Sequence, residues 1–230
     1  MRLTSLSLVS ALALLAAPLA AQDLSQAEQF DERVSAAISL GFDDQVEQAN
    51  RDLLTIAAEA DAAIAAIGGD KREAAALLRS AGNAYYYAAQ NHDPEWNDEA
   101  GQALEVEWLS KSLDRLERAL ALEPENFTNS YEYRGVAGQL WQHGERLKDA
   151  RWQQWSAARV AANRMRMAEY PEDYFEQNMV AEALYDHGWL TSDKALLAEA
   201  DALLAAMPED ERGYGALRKQ RAVEAGEEPY

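Results

Sequence analysis

Apolar positions recur with a helical period along most of the chain. Ala27, Phe30, Val34 and Ala37 form one stripe, and Val46, Ala49, Leu53, Ile56, Ala60, Ile64 and Ile67 form a longer one. Ala74, Leu77, Ala81, Tyr85 and Ala88 continue the pattern, followed by Leu109, Leu113, Leu116 and Leu120. Two more stripes run through Leu147, Ala150, Ala158, Ala161 and Met165, and through Leu196, Ala200, Leu203 and Met207. Spacings of three and four place such residues on one side of a helix, so each stripe predicts an amphipathic helix with one buried face. Pro94, Pro124, Pro171 and Pro208 each precede a Glu. Proline breaks a helix interior but fits its first turn, where Glu meets the positive end of the helix dipole; each Pro-Glu thus marks one helix ending and another beginning. Gly41, Gly144 and Gly188 fall where a left-handed helix end favours glycine, and Asp70 with Glu73 reads as a capping box. The pattern predicts four helical hairpins at about 24–67, 70–122, 126–169 and 172–206, with a closing helix at 209–225.

Composition agrees with an all-α fold. The chain has 46 Ala against 12 Val and Ile combined, a ratio that favours helix over the pleated surface that β-branched side chains pack. Two kinds of local repetition order the hairpins. Glu123-Pro124-Glu125-Asn126, Tyr170-Pro171-Glu172-Asp173 and Met207-Pro208-Glu209-Asp210 share one turn chemistry, and Leu140-Trp141-Gln142-His143-Gly144 and Leu184-Tyr185-Asp186-His187-Gly188 share one helix ending. A hairpin with a single apolar face cannot bury it alone, so repetition implies stacking into an α-α superhelix or solenoid.

Ala119-Leu120-Ala121-Leu122-Glu123-Pro124-Glu125-Asn126 resembles the end of a tetratricopeptide repeat's second helix and the turn into the next repeat. Gly82 with Tyr85 is similar to the Gly and Tyr of such a repeat's first helix, where Gly admits the partner helix. The likeness covers residues 70 to 210. The Pro-Glu turns at 124, 171 and 208 are 47 and 37 residues apart, longer than the standard unit of about 34, so the resemblance implies an irregular curved stack of degenerate repeats.

The N-terminus has its own grammar. Met1-Arg2 gives a positive start, residues 6–17 are apolar or Ser, and Pro18-Leu19-Ala20-Ala21 ends the run in small residues, the order of a secretory signal peptide over 1–21 with cleavage after Ala21 or Ala20. The apolar run is shorter than the roughly 20 residues that span hydrocarbon, and no Cys follows it to carry lipid; the expectation is export to the periplasm or beyond with no stable membrane anchor after cleavage. Absence of Cys also excludes disulfide frameworks, thiolate metal sites and thiol nucleophiles. A formal charge of -19 argues against nucleic acid as a partner.

Candidate chemistry is sparse. His92, His143 and His187 have no ligand spacing, and no phosphate loop or nucleophile motif occurs, so neither a metal, a cofactor nor catalysis is expected. His143 and His187 admit two readings, as caps for helix-end carbonyls or as a pair in a groove. The loop from Asn91 to Glu99 is rich in oxygen ligands but lacks the glycine and distal glutamate of an EF-hand, and reads better as a helix cap than as a calcium site. Residues 126–170 carry four acids and seven bases against the strongly acidic segments on either side, together with Tyr131, Tyr133, Trp141, Trp152 and Trp155. Arg134, Arg151, Arg159, Arg164 and Arg166 there either hold a carboxylate or phosphate between aromatic walls or pair with the acidic flanks.

These features point to a non-enzymatic scaffold that holds a protein partner on its concave face, with Tyr85, Tyr133, Arg134, Trp141, His143 and Asn178 as candidate contact residues. The alternative is a small-molecule-binding accessory of a transport system, taking an anionic ligand near the third hairpin.

Overall fold

The computed structural model describes residues 25–42, 45–67, 69–92, 94 and 98–227. The proposed signal segment and residues 93 and 95–97 of the Asn91–Glu99 loop lie outside these residues. Among the described residues the fold is all helix: α1 (Gln26–Phe42) and α2 (Val46–Ala66), α3 (Lys71–Gln90) and α4 (Glu99–Leu122), α5 (Ser130–Leu147) and α6 (Trp152–Glu169), α7 (Tyr174–Thr191) and α8 (Lys194–Ala206), then α9 (Tyr214–Ala225). Each hairpin packs its second helix on the first helix of the next, α2 on α3, α4 on α5, α6 on α7 and α8 on α9. First helices also adjoin, with α1 against α3 and α7 against α9, whereas α5 and α7 stand further apart. No described helix is long and apolar enough to cross a membrane.

Small residues make the close stacking possible. Ala49, Ala57, Ala60, Ala75, Ala81 and Ala84 are wholly buried at the early seams. Gly82 lets α4 approach α3: an added Cβ would lie 2.9 Å from Leu116 Cγ, and Ser112 Oγ donates a 2.7 Å bond to the Gly82 carbonyl. The buried side chains fall into two clusters, one built by α1 to α6 and one by α6 to α9, so α6 is the shared wall.

Helix starts follow their caps. Asp70, Asp98, Asp173 and Asp193 each accept a backbone N–H of the first turn at α3, α4, α7 and α8. The reciprocal half of the expected capping box is missing at α3, because Glu73 accepts from the Ala27 amide at 2.9 Å and so caps α1 instead. The Pro-Glu pairs at 124 and 208 do not start α5 and α9. They sit at short 3-10 turns, Pro124 opening one and Pro208 preceding the other, and the helices begin at Ser130 and Tyr214, so the closing helix is shorter than the expected 209–225.

The glycine reading needs a second correction. Gly144 and Gly188 lie inside α5 and α7, and the left-handed residues are Lys148 (φ 51°) and Ser192 (φ 57°). The Asp149 amide donates to the Gly144 carbonyl at 3.2 Å and the Asp193 amide to the Gly188 carbonyl at 2.8 Å, the same closure at both helix ends. Glycine is favoured there by crowding, more sharply at Gly144 than at Gly188. A Cβ on Gly144 would lie 2.6 Å from Trp152 Cδ1, and one on Gly188 would lie 3.0 Å from Leu197 Cδ2, because the returning helix crosses at that level.

Candidate functional site

The separation of α5 from α7 opens a cleft near their C-terminal ends, with a volume of about 440 Å³. Trp141, Glu145 and Lys148 line it from the α5 side, Trp152 from the start of α6, and Asp186, Trp189 and Leu190 from α7. Helical spacing explains the grouping, since Trp141, Glu145 and Lys148 are three and four residues apart on one face. The Arg159 guanidinium lies 4.3 Å from the Trp141 ring centre and the Lys148 ammonium 4.8 Å from that of Trp152. Asp186 is buried beneath, accepting from Arg159 of α6 and, at 2.6 Å, from Lys219 of α9. Burial and the nearby Asp186 charge raise the Glu145 carboxyl above the ordinary glutamate range, against the opposing pull of Lys148, Lys219 and Arg159.

A second concavity of about 310 Å³ crosses three first helices. Ile38 and Phe42 of α1, Tyr86 and Tyr87 of α3 and Tyr131 of α5 supply its apolar walls, with Gln90 and Asn91 at the rim. Phe42 is 84% exposed and Tyr131 57% exposed, large rings left open to solvent. Beyond Tyr131 the aromatic surface continues through Arg134, whose guanidinium lies 5.9 Å from the Tyr131 ring centre and 5.8 Å from that of Phe175 on α7. Burial pushes the Tyr86 hydroxyl up to about 12, so it stays a neutral donor at any physiological pH.

The residues selected from sequence do not assemble into one site. Tyr85 is buried at the α2–α3–α4 seam, its hydroxyl 3.5 Å from Asp61 and its ring flanked by Arg115 and Lys111. Tyr133 is buried against Phe127 and donates to Glu117; burial and that carboxylate raise its pKa. Arg134 is paired with Glu176 of α7 at 2.6 Å. His143 accepts from Arg146 at Nδ1 (2.6 Å), which leaves Nε2–H to face Glu105 of α4 at 3.3 Å. Asn178 holds α7 to the segment before α9, donating to the Glu211 carbonyl (2.8 Å) and accepting from the Gly213 amide (2.6 Å). Trp141 alone of the six lines the large cleft.

Of the two readings of the basic third hairpin, the structure carries pairing. Besides Arg134, Arg166 meets Glu169 at 3.0 Å and Glu176 at 3.4 Å, Arg164 meets Glu199 at 2.5 Å, and Arg151 meets Asp149 at 2.9 Å. His143 and His187 each sit one residue before a glycine inside their helices, and neither caps a helix-end carbonyl through a described hydrogen bond. No group of acidic or histidine side chains among the described residues could hold a metal ion. Asp98, the one end of the Asn91–Glu99 acids with a described cap contact, accepts from the Gly101 amide at 2.9 Å.

Sequence reasoning passed over Trp189, Glu145, Tyr87 and Phe42, which line the two concavities. Trp189 carried a signal in being the residue after the repeated His-Gly pair, but only the α5–α7 gap makes it a wall. The chain matches no family model, no curated protein and no solved structure.

Proposed function

We propose that this protein is an exported, non-catalytic scaffold of tetratricopeptide-like hairpins that holds a segment of a partner protein along its first helices. The observation that carries this reading is the open aromatic concavity across α1, α3 and α5, continued to α7 by the Tyr131–Arg134–Phe175 stack. Exposed rings in a shallow groove bury large apolar area with little loss of side-chain freedom, which is why aromatic residues dominate binding hot spots. The net charge of -19 favours a segment with basic flanks. The test is site-specific photo-crosslinking in cells carrying the native protein, with the reactive group at Phe42, Tyr87 or Tyr131 and a control on α8 at Glu199. One partner captured from all three groove positions and not from the control is expected, with loss of the adduct in Tyr131→Ala. Equal capture from α8, or none from the groove, overturns the reading. Export is checked separately: the N-terminus of the processed protein should be Gln22 or Ala21.

A second reading, a small-molecule-binding accessory of a transport system, is favoured by the tryptophan cleft of about 440 Å³, a size within the usual range of roughly 300–1,000 Å³ for ligand pockets.

A further inference from the structure

We propose that the tryptophan cleft binds an organic cation, an ammonium or guanidinium group on a short alkyl stem, with Glu145 as its carboxylate partner and Trp189 as its aromatic wall. The inference rests on the second reading above and names its ligand class. Three observations carry it.

The first is the state of the two carboxylates in the cleft. Asp186 is consumed by Arg159 and Lys219, whereas Glu145 makes no ion pair at contact distance among the described residues, although it lines the same cavity. A carboxylate in a half-enclosed aromatic site with no direct ion pair among the described residues is a site for an incoming N–H cation. The second is that these rings already hold cations. Trp141 stacks Arg159 and Trp152 stacks Lys148, and the quadrupole that attracts those groups is equally present on Trp189, which no described cation covers. Leu190 beside it offers a surface for an alkyl stem. The third is charge. An anion, the ligand expected from the basic composition of this hairpin, would find Arg134, Arg159, Arg164 and Arg166 already paired, while the field of a chain with net charge -19 concentrates cations.

Lys148 defines the competition. Its side chain is exposed, its ammonium lies 4.8 Å from the Trp152 ring centre and both residues line the cleft, so an entering cation either displaces it or is repelled by it.

Isothermal titration of the purified protein with agmatine, choline, the peptide acetyl-Gly-Arg-Gly-amide and inorganic phosphate tests the assignment, with tryptophan fluorescence as a second readout. Saturable binding of agmatine is expected, weakened about tenfold in Glu145→Gln by loss of a charge-assisted hydrogen bond. Lys148→Ala should strengthen it, and both variants should keep wild-type circular dichroism. Agmatine binding tighter than the peptide assigns a free cation and supports the proposal; the reverse order keeps the cation site but assigns an arginine side chain of a partner, overturning the small-molecule reading on which the ligand class rests. Equal agmatine affinity in wild type and Glu145→Gln overturns it. Saturable phosphate binding without cation binding overturns the cation and leaves the small-molecule reading standing; no binding of any probe removes both.

Discussion

A methyl group added at Gly82 would sit 2.9 Å from Leu116 Cγ, whereas one added at Gly138 would meet nothing within 4 Å. The same substitution should therefore have opposite signs at two helical glycines. Gly82→Ala forces α3 and α4 apart and should destabilise by about 1–3 kcal/mol, the usual cost of overpacking. Gly138→Ala should stabilise by about 0.5–1 kcal/mol, because alanine restricts the unfolded chain without a clash. Urea melts of both variants decide the matter. Glu145 gives a pH-dependent counterpart. Its folded-state pKa is raised by burial and by Asp186 of α7, while Lys148 at the end of α5, Arg159 of α6 and Lys219 of α9 act in the opposite sense. Folded protein thus binds this proton more tightly than unfolded protein, so no penalty is present below the unfolded value near 4.5, and stability is lost as pH rises from there through the raised folded value. Glu145→Gln should melt above wild type at neutral pH and converge with it near pH 4. A gap that instead widens on acidification would reverse the sign.

At the scale of elements, the ion pairs tie consecutive hairpins together. Asp186 of α7 receives Arg159 from α6 and Lys219 from α9, and all three side chains are buried. Asp186→Ala removes the buried carboxylate that Arg159 and Lys219 share, leaving Arg159 only the longer 3.9 Å contact with Glu182, and should cost about 3–5 kcal/mol, well beyond the value of any exposed pair. The contrasting variant is Arg164→Ala, which breaks a surface contact with Glu199 and should change stability by less than about 1 kcal/mol. Thermal denaturation of the two variants side by side measures the difference. The helix endings at Lys148 and Ser192 show how far the repeats were readable at this scale. The repeated His-Gly motif correctly marked equivalent places, but the role of the glycine was set by Trp152 and Leu197 on the returning helices, which are brought to it only by the hairpin turn.

For the whole molecule, the two core clusters joined through α6 predict graded stability. In a stack each unit contacts only its neighbours, so damage stays local. Hydrogen exchange of Asp186→Ala should show protection lost in α7 to α9 and retained in α1 to α4. Uniform loss throughout the chain would mean that the stack unfolds as one cooperative block.

Periodicity and composition were enough to determine that the described chain is helical and, for most helices, which face is apolar, because those properties depend on residues three and four apart. The stripe Leu147, Ala150, Ala158, Ala161 and Met165 failed because it runs across the turn between α5 and α6, and Leu147, Ala150 and Ala161 are exposed. Alanine at the seams and aspartate at the helix starts act through the same local rules. The site followed a different logic. Tyr85 and Tyr133 lie on helices that line a groove, yet their rings turn into seams between helices, while Phe42, Tyr87 and Tyr131 remain at the groove. From sequence the basic hairpin allowed either an anion site or pairing with its acidic flanks; Glu176, Asp186 and Glu199, all from the following hairpin and opposite Arg134, Arg159 and Arg164, decide for pairing. Spacing along one chain reports the direction of a side chain around its own helix. Which partner neutralises it, and whether a gap such as that between α5 and α7 opens beside it, depends on how far apart neighbouring helices stand, and only packing in three dimensions sets that distance.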